Sequence, residues 1–273
     1  MVPDGFTPIK FTGDFNVKQR DACLANMAAN SHRGLPIVMD MQKPHDTVMA
    51  IAGAGPGLKD CVVDLLSAQR SGAHVCAVNE SHDWLVREAG IEPDMVVYTE
   101  VAPWAGPLFN EKTKNTNYFI SSSADGSVFD ALKDRKVTVW HAWHGIGEEN
   151  VVRANGGGAI VYGGVTPALR AIHLGVVLGY RCFDLFGMES SYETNSHVGR
   201  DGEREGWETD QTLDIWCAGR VFKTKPYLAS QANDFGKIAK RYGNLISFRV
   251  HGDGLLPHLF KTMCGTDFVR AAE

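Results

Sequence analysis

The chain predicts an α/β protein of Rossmann-like type: a parallel sheet with helices on both faces, followed by a C-terminal extension of helix and strand. Three observations predict it. Short apolar runs alternate with stretches of helical period between residues 47 and 187. The first run, TVMAIA, ends in the glycine turn Gly53-Ala54-Gly55-Pro56-Gly57. A later block, YGGVTPALRAIHLGVVLGYRCFDLFG, reads as a capped helix that leads straight into a strand. Residues 1–45 read as a peripheral N-terminal segment, and 46–273 as one domain carrying its own extension.

The core strands are expected at 47–52, 74–79, 95–100, 118–121, 136–140 and 182–187, each rich in Val, Ile, Phe or Tyr and bounded by Gly, Pro, Asn or Asp. Leu58, Cys61, Val62, Leu65 and Leu66 recur at helical spacing after the glycine turn. Ser81 is placed to cap a helix that stops near Gly90. Thr166 caps the helix that begins at Pro167, and Gly179 ends it. A helix at 17–30 precedes the sheet. Beyond the polar stretch 189–209, expected to be a loop over the open side of the sheet, helices are expected near 212–219 and 229–242, then a strand at 245–250.

Composition narrows the function classes. Of 273 residues, 44% are hydrophobic and 22% charged, which fits a packed globular chain. A net charge of -5 with no Lys/Arg cluster argues against a nucleic-acid partner. The sequence shows no apolar run of membrane-span length and no signal-peptide pattern at its start. Six scattered cysteines without a CxxC pair fit a reducing, cytoplasmic setting. The oligomeric state is open, a homo-oligomer included.

Chemistry-bearing residues are expected at strand ends, where doubly wound sheets line their ligand crevice. The turn Gly53, Gly55, Pro56 and Gly57 would aim backbone N–H groups and a helix start at a phosphate; a tight turn with no ligand is the alternative. Asn79 and Glu80 follow the second strand and could meet a base, ribose or phosphate, or serve only to end the strand and begin a helix. Glu100 closes the third strand, as a general base or a ligand for a divalent cation; Asp94 belongs to the turn before it. Gly164 and Thr166 mark a second anion-receptive helix start, with Arg170 on its first turn, where it could reach a phosphate or carboxylate, although a salt bridge in solvent is the commoner fate. His173 falls on the apolar stripe, as a buried core residue. Glu189 points at the crevice, with Tyr192 and His197 beyond it. His141 and His144, ahead of Glu148 and Glu149, have a spacing that could suit zinc, though substrate contact or packing with Trp140 and Trp143 ranks above it.

Taken together, GAGPGL, VNESHDWLVREAGIEPDMVV and GGVTPALRAIHLGVVLGYRCFDLFGMESSY resemble the Rossmann-like family named for the archaeal 6-hydroxymethylpterin diphosphokinase, over residues 47–199. That family also includes glycosyltransferase-like proteins associated with flagellin modification. A more distant similarity runs to bacterial lipooligosaccharide sialyltransferases. The resemblance implies a transferase with a nucleotide or nucleotide-sugar donor, an acceptor of unknown identity and no tightly bound cofactor. In the sialyltransferase likeness Gly53, Gly55 and Pro56 lie against the donor phosphates, Asn79 contacts the nucleotide, and Tyr192 touches phosphate. Glu189 or His197 would take the acceptor proton. In the diphosphokinase likeness Glu100 and Glu189 would hold Mg²⁺. This chain carries Ala54 where the sialyltransferases have Asn, and Arg200 about where their His falls. A binding module without catalysis is the third reading.

Overall fold

The computed structural model describes residues 17–102, 108–191, 198 and 212–264. An N-terminal helix α1 (Val17–Ser31) leads to β1 (His45–Ala52), a 3₁₀ turn (Pro56–Cys61), α2 (Val62–Arg70), β2 (His74–Val78), α3 (Ser81–Glu88) and β3 (Met95–Tyr98). There follow β4 (Asn117–Ser121), α4 (Gly126–Ala131), β5 (Lys136–Ala142), α5 (Glu148–Ala154), β6 (Ile160–Val161), α6 (Pro167–Val177) and β7 (Tyr180–Phe186). The chain then forms β8 (Leu213–Cys217), β9 (Arg220–Thr224), α7 (Pro226–Tyr242), β10 (Ser247–Val250) and α8 (Leu255–Cys264).

Eight strands form one parallel sheet in the order β10-β7-β1-β2-β3-β4-β5-β6. One apolar layer packs α6, α7 and α8 on one face, through Leu169, Ile172, Phe235 and Leu256. The other packs α2, α3 and α4 on the opposite face, through Leu65, Leu85 and Phe129. Sheet-building runs outward from β1 to β6, then α6 carries the chain back across the other face to β7, beside β1. A right-handed crossover demands that change of face when the direction of winding reverses. The reversal leaves a topological switch point between β1 and β7, where such sheets open a crevice at their carboxyl ends.

All six expected core strands are present, with ends shifted by up to two residues. Four expectations change. Ser81 does not cap α3: its hydroxyl donates to Ala52 O (2.7 Å) and accepts from Val78 N–H (2.8 Å), tying β1 to β2. The glycine turn enters a 3₁₀ segment, with Pro56 at its first position, before α2. Residues 212–219 form no helix. They supply β8 and the turn of an antiparallel hairpin with β9. Residues 1–45 are less peripheral than expected from residue 17 onward: Cys23 and Met27 of α1 are fully buried against α5, and Ile37 bridges Val139.

Candidate functional site

Register brings the site together. Ala52, the last residue of β1, stands level with Ala77 of β2 and Phe186 of β7. The chain therefore leaves three neighbouring strands at one edge, and Gly53–Pro56, Asn79–Glu80 and Gly187–Ser191 line a single cleft of about 490 Å³. Glu100 beyond β3, Thr166 and Pro167 at the start of α6, and Tyr227 and Gln231 of α7 complete its wall.

The glycine turn is built differently from a simple phosphate cradle. Gly53 N–H donates to Phe186 O (2.8 Å) and Gly55 N–H to Gly187 O (2.9 Å), so two of its amides are taken up by the loop after β7. Glu189, 4% exposed, lies against the turn. A Cβ on Gly55 would collide with its Oε2 and approach Gly187 O to 2.6 Å; one on Gly57 would stand 2.5 Å from its Oε1. The absent side chains thus make room for a carboxylate and a neighbouring backbone. Sequence pattern did not separate that role from close approach of a ligand.

Asn79 occupies the left-handed region (φ 50°), a conformation Asn tolerates better than most residues. Its Nδ2 donates to Glu100 Oε1 (3.1 Å), while its buried Oδ1 has no hydrogen-bond partner. Glu80 takes the N-cap position of α3 and lines the cleft. Thr166 occupies the N-cap of α6 with extended backbone but makes no side-chain cap bond. Its Oγ1 is buried and unpartnered, in a residue 7% exposed. A buried hydroxyl left without a partner costs about 1–3 kcal/mol, and a helix N-terminus draws anions. Gly163 and Gly164 let the chain pack on α6's own first turn: a Cβ on either would strike Arg170 or Leu169.

The two-histidine zinc expectation does not hold. His141 Nδ1 pairs with Ser122 Oγ (2.8 Å) and Nε2 with Gly157 O (3.2 Å). Glu148 accepts backbone N–H bonds from His144, Gly145 (2.9 Å) and Ile146 (2.8 Å). Burial alone would raise its carboxyl, but these bonds outweigh it and hold it below the usual carboxylate range. Among the described residues no three His, Cys, Asp or Glu converge as a metal site. Glu100 and Glu189 share the cleft with Glu80, and Glu100 Oε1 accepts from Asn79 Nδ2. His173 is buried as expected, with Nδ1 2.8 Å from Tyr242 Oη, and burial brings it down to about 4. Asp94 belongs to its turn, accepting from Val75 N–H (2.7 Å). Arg170 forms no solvent ion pair; it is partly buried and donates to Trp143 O (2.9 Å).

Tyr192, His197 and Arg200 lie outside the described residues, as does most of the polar stretch around them. One described residue there, Val198, is fully buried and donates its N–H to Ala54 O (3.0 Å). The residues that sequence reading missed are Met188, Ser190, Tyr227 and Gln231. Ser190 is fixed in the left-handed region by Gln231 Nε2 on its Oγ (2.9 Å) and Thr224 Oγ1 on its carbonyl (2.7 Å).

A doubly wound parallel sheet with a cleft at its switch point defines a Rossmann-like α/β protein. The chain belongs to the family described as 6-hydroxymethylpterin diphosphokinase MptE-like, which it matches over residues 21–195, more than half its length. Among solved structures it is similar in fold to the MAf glycosyltransferase from Magnetospirillum magneticum AMB-1, with a TM-score of 0.63 at 15% identity. That match covers 86% of this chain and 37% of the glycosyltransferase, so the chain spans little over a third of that enzyme's length. No curated protein sequence matches the chain. Among the described residues, no helix is long and apolar enough to cross a membrane.

Proposed function

We propose that the chain is a transferase using a nucleotide-activated donor, with glycosyl transfer from a nucleotide sugar as the favoured reaction. The observation that carries this reading is a pair of buried, unpartnered oxygens, Thr166 Oγ1 and Asn79 Oδ1, lining one cleft at the switch point. The donor phosphate lies at the start of α6, where the Thr166 hydroxyl donates to it. The helix terminus stabilises the charge that grows on the leaving phosphate. Asn79 contacts the nucleotide. The acceptor hydroxyl attacks the anomeric carbon, the bond to the phosphate oxygen breaks, and Glu100 takes the hydroxyl proton. Glu189 and His197 are the other candidates for that base. The described residues lining the cleft include Glu80, Glu100 and Glu189 but neither Lys nor Arg. Such a lining suits a donor of low anionic charge.

The family description favours a second reading, ATP-dependent diphosphate transfer supported by Mg²⁺. A thermal-shift panel of CMP, a CMP-sugar, a UDP-sugar, ATP with Mg²⁺, and NAD separates the two. Stabilisation by CMP or nucleotide sugars supports glycosyl transfer; magnesium-dependent stabilisation by ATP supports the second reading; NAD alone overturns both. Donor binding without turnover against any acceptor supports the non-catalytic module. Thr166→Val is expected to weaken donor binding about tenfold and to leave the melting temperature of the free protein unchanged, because that hydroxyl makes no bond within the fold. A donor that binds the variant as tightly as the wild type removes the phosphate from this position.

A further inference from the structure

A second compartment of about 420 Å³ adjoins the cleft and shares Glu100, Val165 and Pro167 with it. Its wall includes Gln19 from α1, Thr99, His144 and Arg170. Arg170 is held in place rather than free to swing: its stem packs against Gly163, where no Cβ fits, and its Nη1 donates to Trp143 O (2.9 Å). Its Nη2 lies 3.4 Å from His144 Nδ1. His144 Nε2 faces Ser123 Oγ at 3.2 Å, so the neutral ring donates there and presents Nδ1 as an acceptor to the guanidinium.

What Arg170 lacks is a counter-charge. Among the described residues no carboxylate stands within 4.0 Å of it. Glu148 acts on it only from a distance and is already bonded to three backbone N–H groups. Glu100 also acts at a distance and receives the Asn79 amide. The nearby Cys23 thiol is pushed up to about 11 by burial and is neutral. A guanidinium offers five N–H donors, and the partners of this one among the described residues are one carbonyl and one imidazole. A fixed cation lining a cavity without an ion pair is an anion receptor.

We propose that this compartment is a second anion subsite, in which Arg170 receives the phosphate or carboxylate of the second substrate while Glu100 stands between it and the donor. Placing an acceptor there rests on the transferase reading; the binding of an anion at Arg170 does not. Burial already holds Arg170 down to about 10 and His144 down to about 4, the state expected of a cation and its neutral neighbour before an anion arrives.

The test titrates methyl phosphate and, separately, acetate into the full chain while the His144 ring is followed by NMR. Arg170, Glu148 and Ser123 face that ring, and an added anion at Arg170 favours its charged form. Saturable shifts of the His144 signals with an upward move of its pKa are expected; preference for methyl phosphate identifies a phosphorylated acceptor, and preference for acetate a carboxylate. Arg170→Gln is expected to weaken the anion by about tenfold or more, while Arg170→Lys keeps part of the affinity. Thermal shifts by the nucleotide panel are recorded in parallel. Anion binding without nucleotide binding leaves the subsite standing and removes the donor; nucleotide binding without His144 shifts in the wild type overturns the subsite alone. Equal anion affinity in Arg170→Gln also overturns it, and the wild-type titration decides the matter if that variant does not fold.

Discussion

Glu189 and the two turn glycines packed on it, Gly55 and Gly57, form one unit, and the two glycines are not equivalent within it. A Cβ on Gly57 would meet the Glu189 side chain first, at 2.5 Å from Oε1 and 3.0 Å from Cδ. One on Gly55 would meet that carboxylate and also Gly187 O at 2.6 Å, a backbone atom that cannot retreat without disturbing the β1–β7 junction. Overpacking a close-packed site costs about 1–3 kcal/mol. Gly57→Ala is therefore expected to lower unfolding free energy by about that amount, and Glu189→Ala to abolish most of the penalty when the two are combined. Gly55→Ala is expected to stay destabilising in the same background. Urea unfolding of the three single and two double variants provides the cycles. Equal penalties for Gly57→Ala with and without Glu189 would mean that the carboxylate does not shape the turn. The same contrast separates packing from ligand approach, which sequence pattern left joined.

At the scale of elements, the hairpin β8–β9 shows where local pattern misleads. Leu213, Ile215 and Phe222 fall on an alternating, half-buried ribbon, yet LDIWCAG also has the apolar density of a short helix. What decides is the turn: Ala218 (φ 45°) and Gly219 (φ 89°) both adopt positive φ, the sign pattern of a type I′ hairpin. Alanine pays steric strain there that asparagine largely avoids. Ala218→Asn is expected to raise stability by about 0.5–1 kcal/mol, seen as a higher melting temperature; a lower one would show that the turn is not of this kind. The parallel strands were legible because strands buried on both faces read as continuous apolar runs ended by Gly, Asn or Asp. Strand-end Asn79, Glu100 and Glu189 were legible for the same reason. Tyr227 and Gln231 were not, since α7 reaches the cleft only through packing against α8 and the sheet, which no local spacing encodes. Nor was the loss of the Gly53 and Gly55 amides to β7, a pairing across more than 130 residues of chain.

Across the whole molecule, several histidines are enclosed in their neutral form, and that sets how the fold responds to acid. Burial brings His144 and His173 down to about 4 and lowers His141 and His251 as well. Their unfolded value is 6.5. Between those limits the unfolded chain binds more protons than the folded one, so these groups contribute their full stabilisation above about 6.5 and lose it as pH falls toward 4. Asp83 and Glu148, whose carboxyls are held below their ordinary values, lose their contribution at a lower pH, as acid reaches the carboxylate range itself. The urea midpoint is therefore expected to be level from about pH 8 to 7 and to decline steadily from about 6.5 to 4. His173→Gln keeps a polar group near Tyr242 but removes one titrating site. It should flatten part of that decline while leaving the carboxylate limb in place. Measured midpoints that rise on acidification through this window would mean that the histidines gain protons on folding, and the buried ties from α6 to Tyr242 and from β5 to Ser122 would have to be redrawn with charged imidazoles donating to neutral hydroxyls.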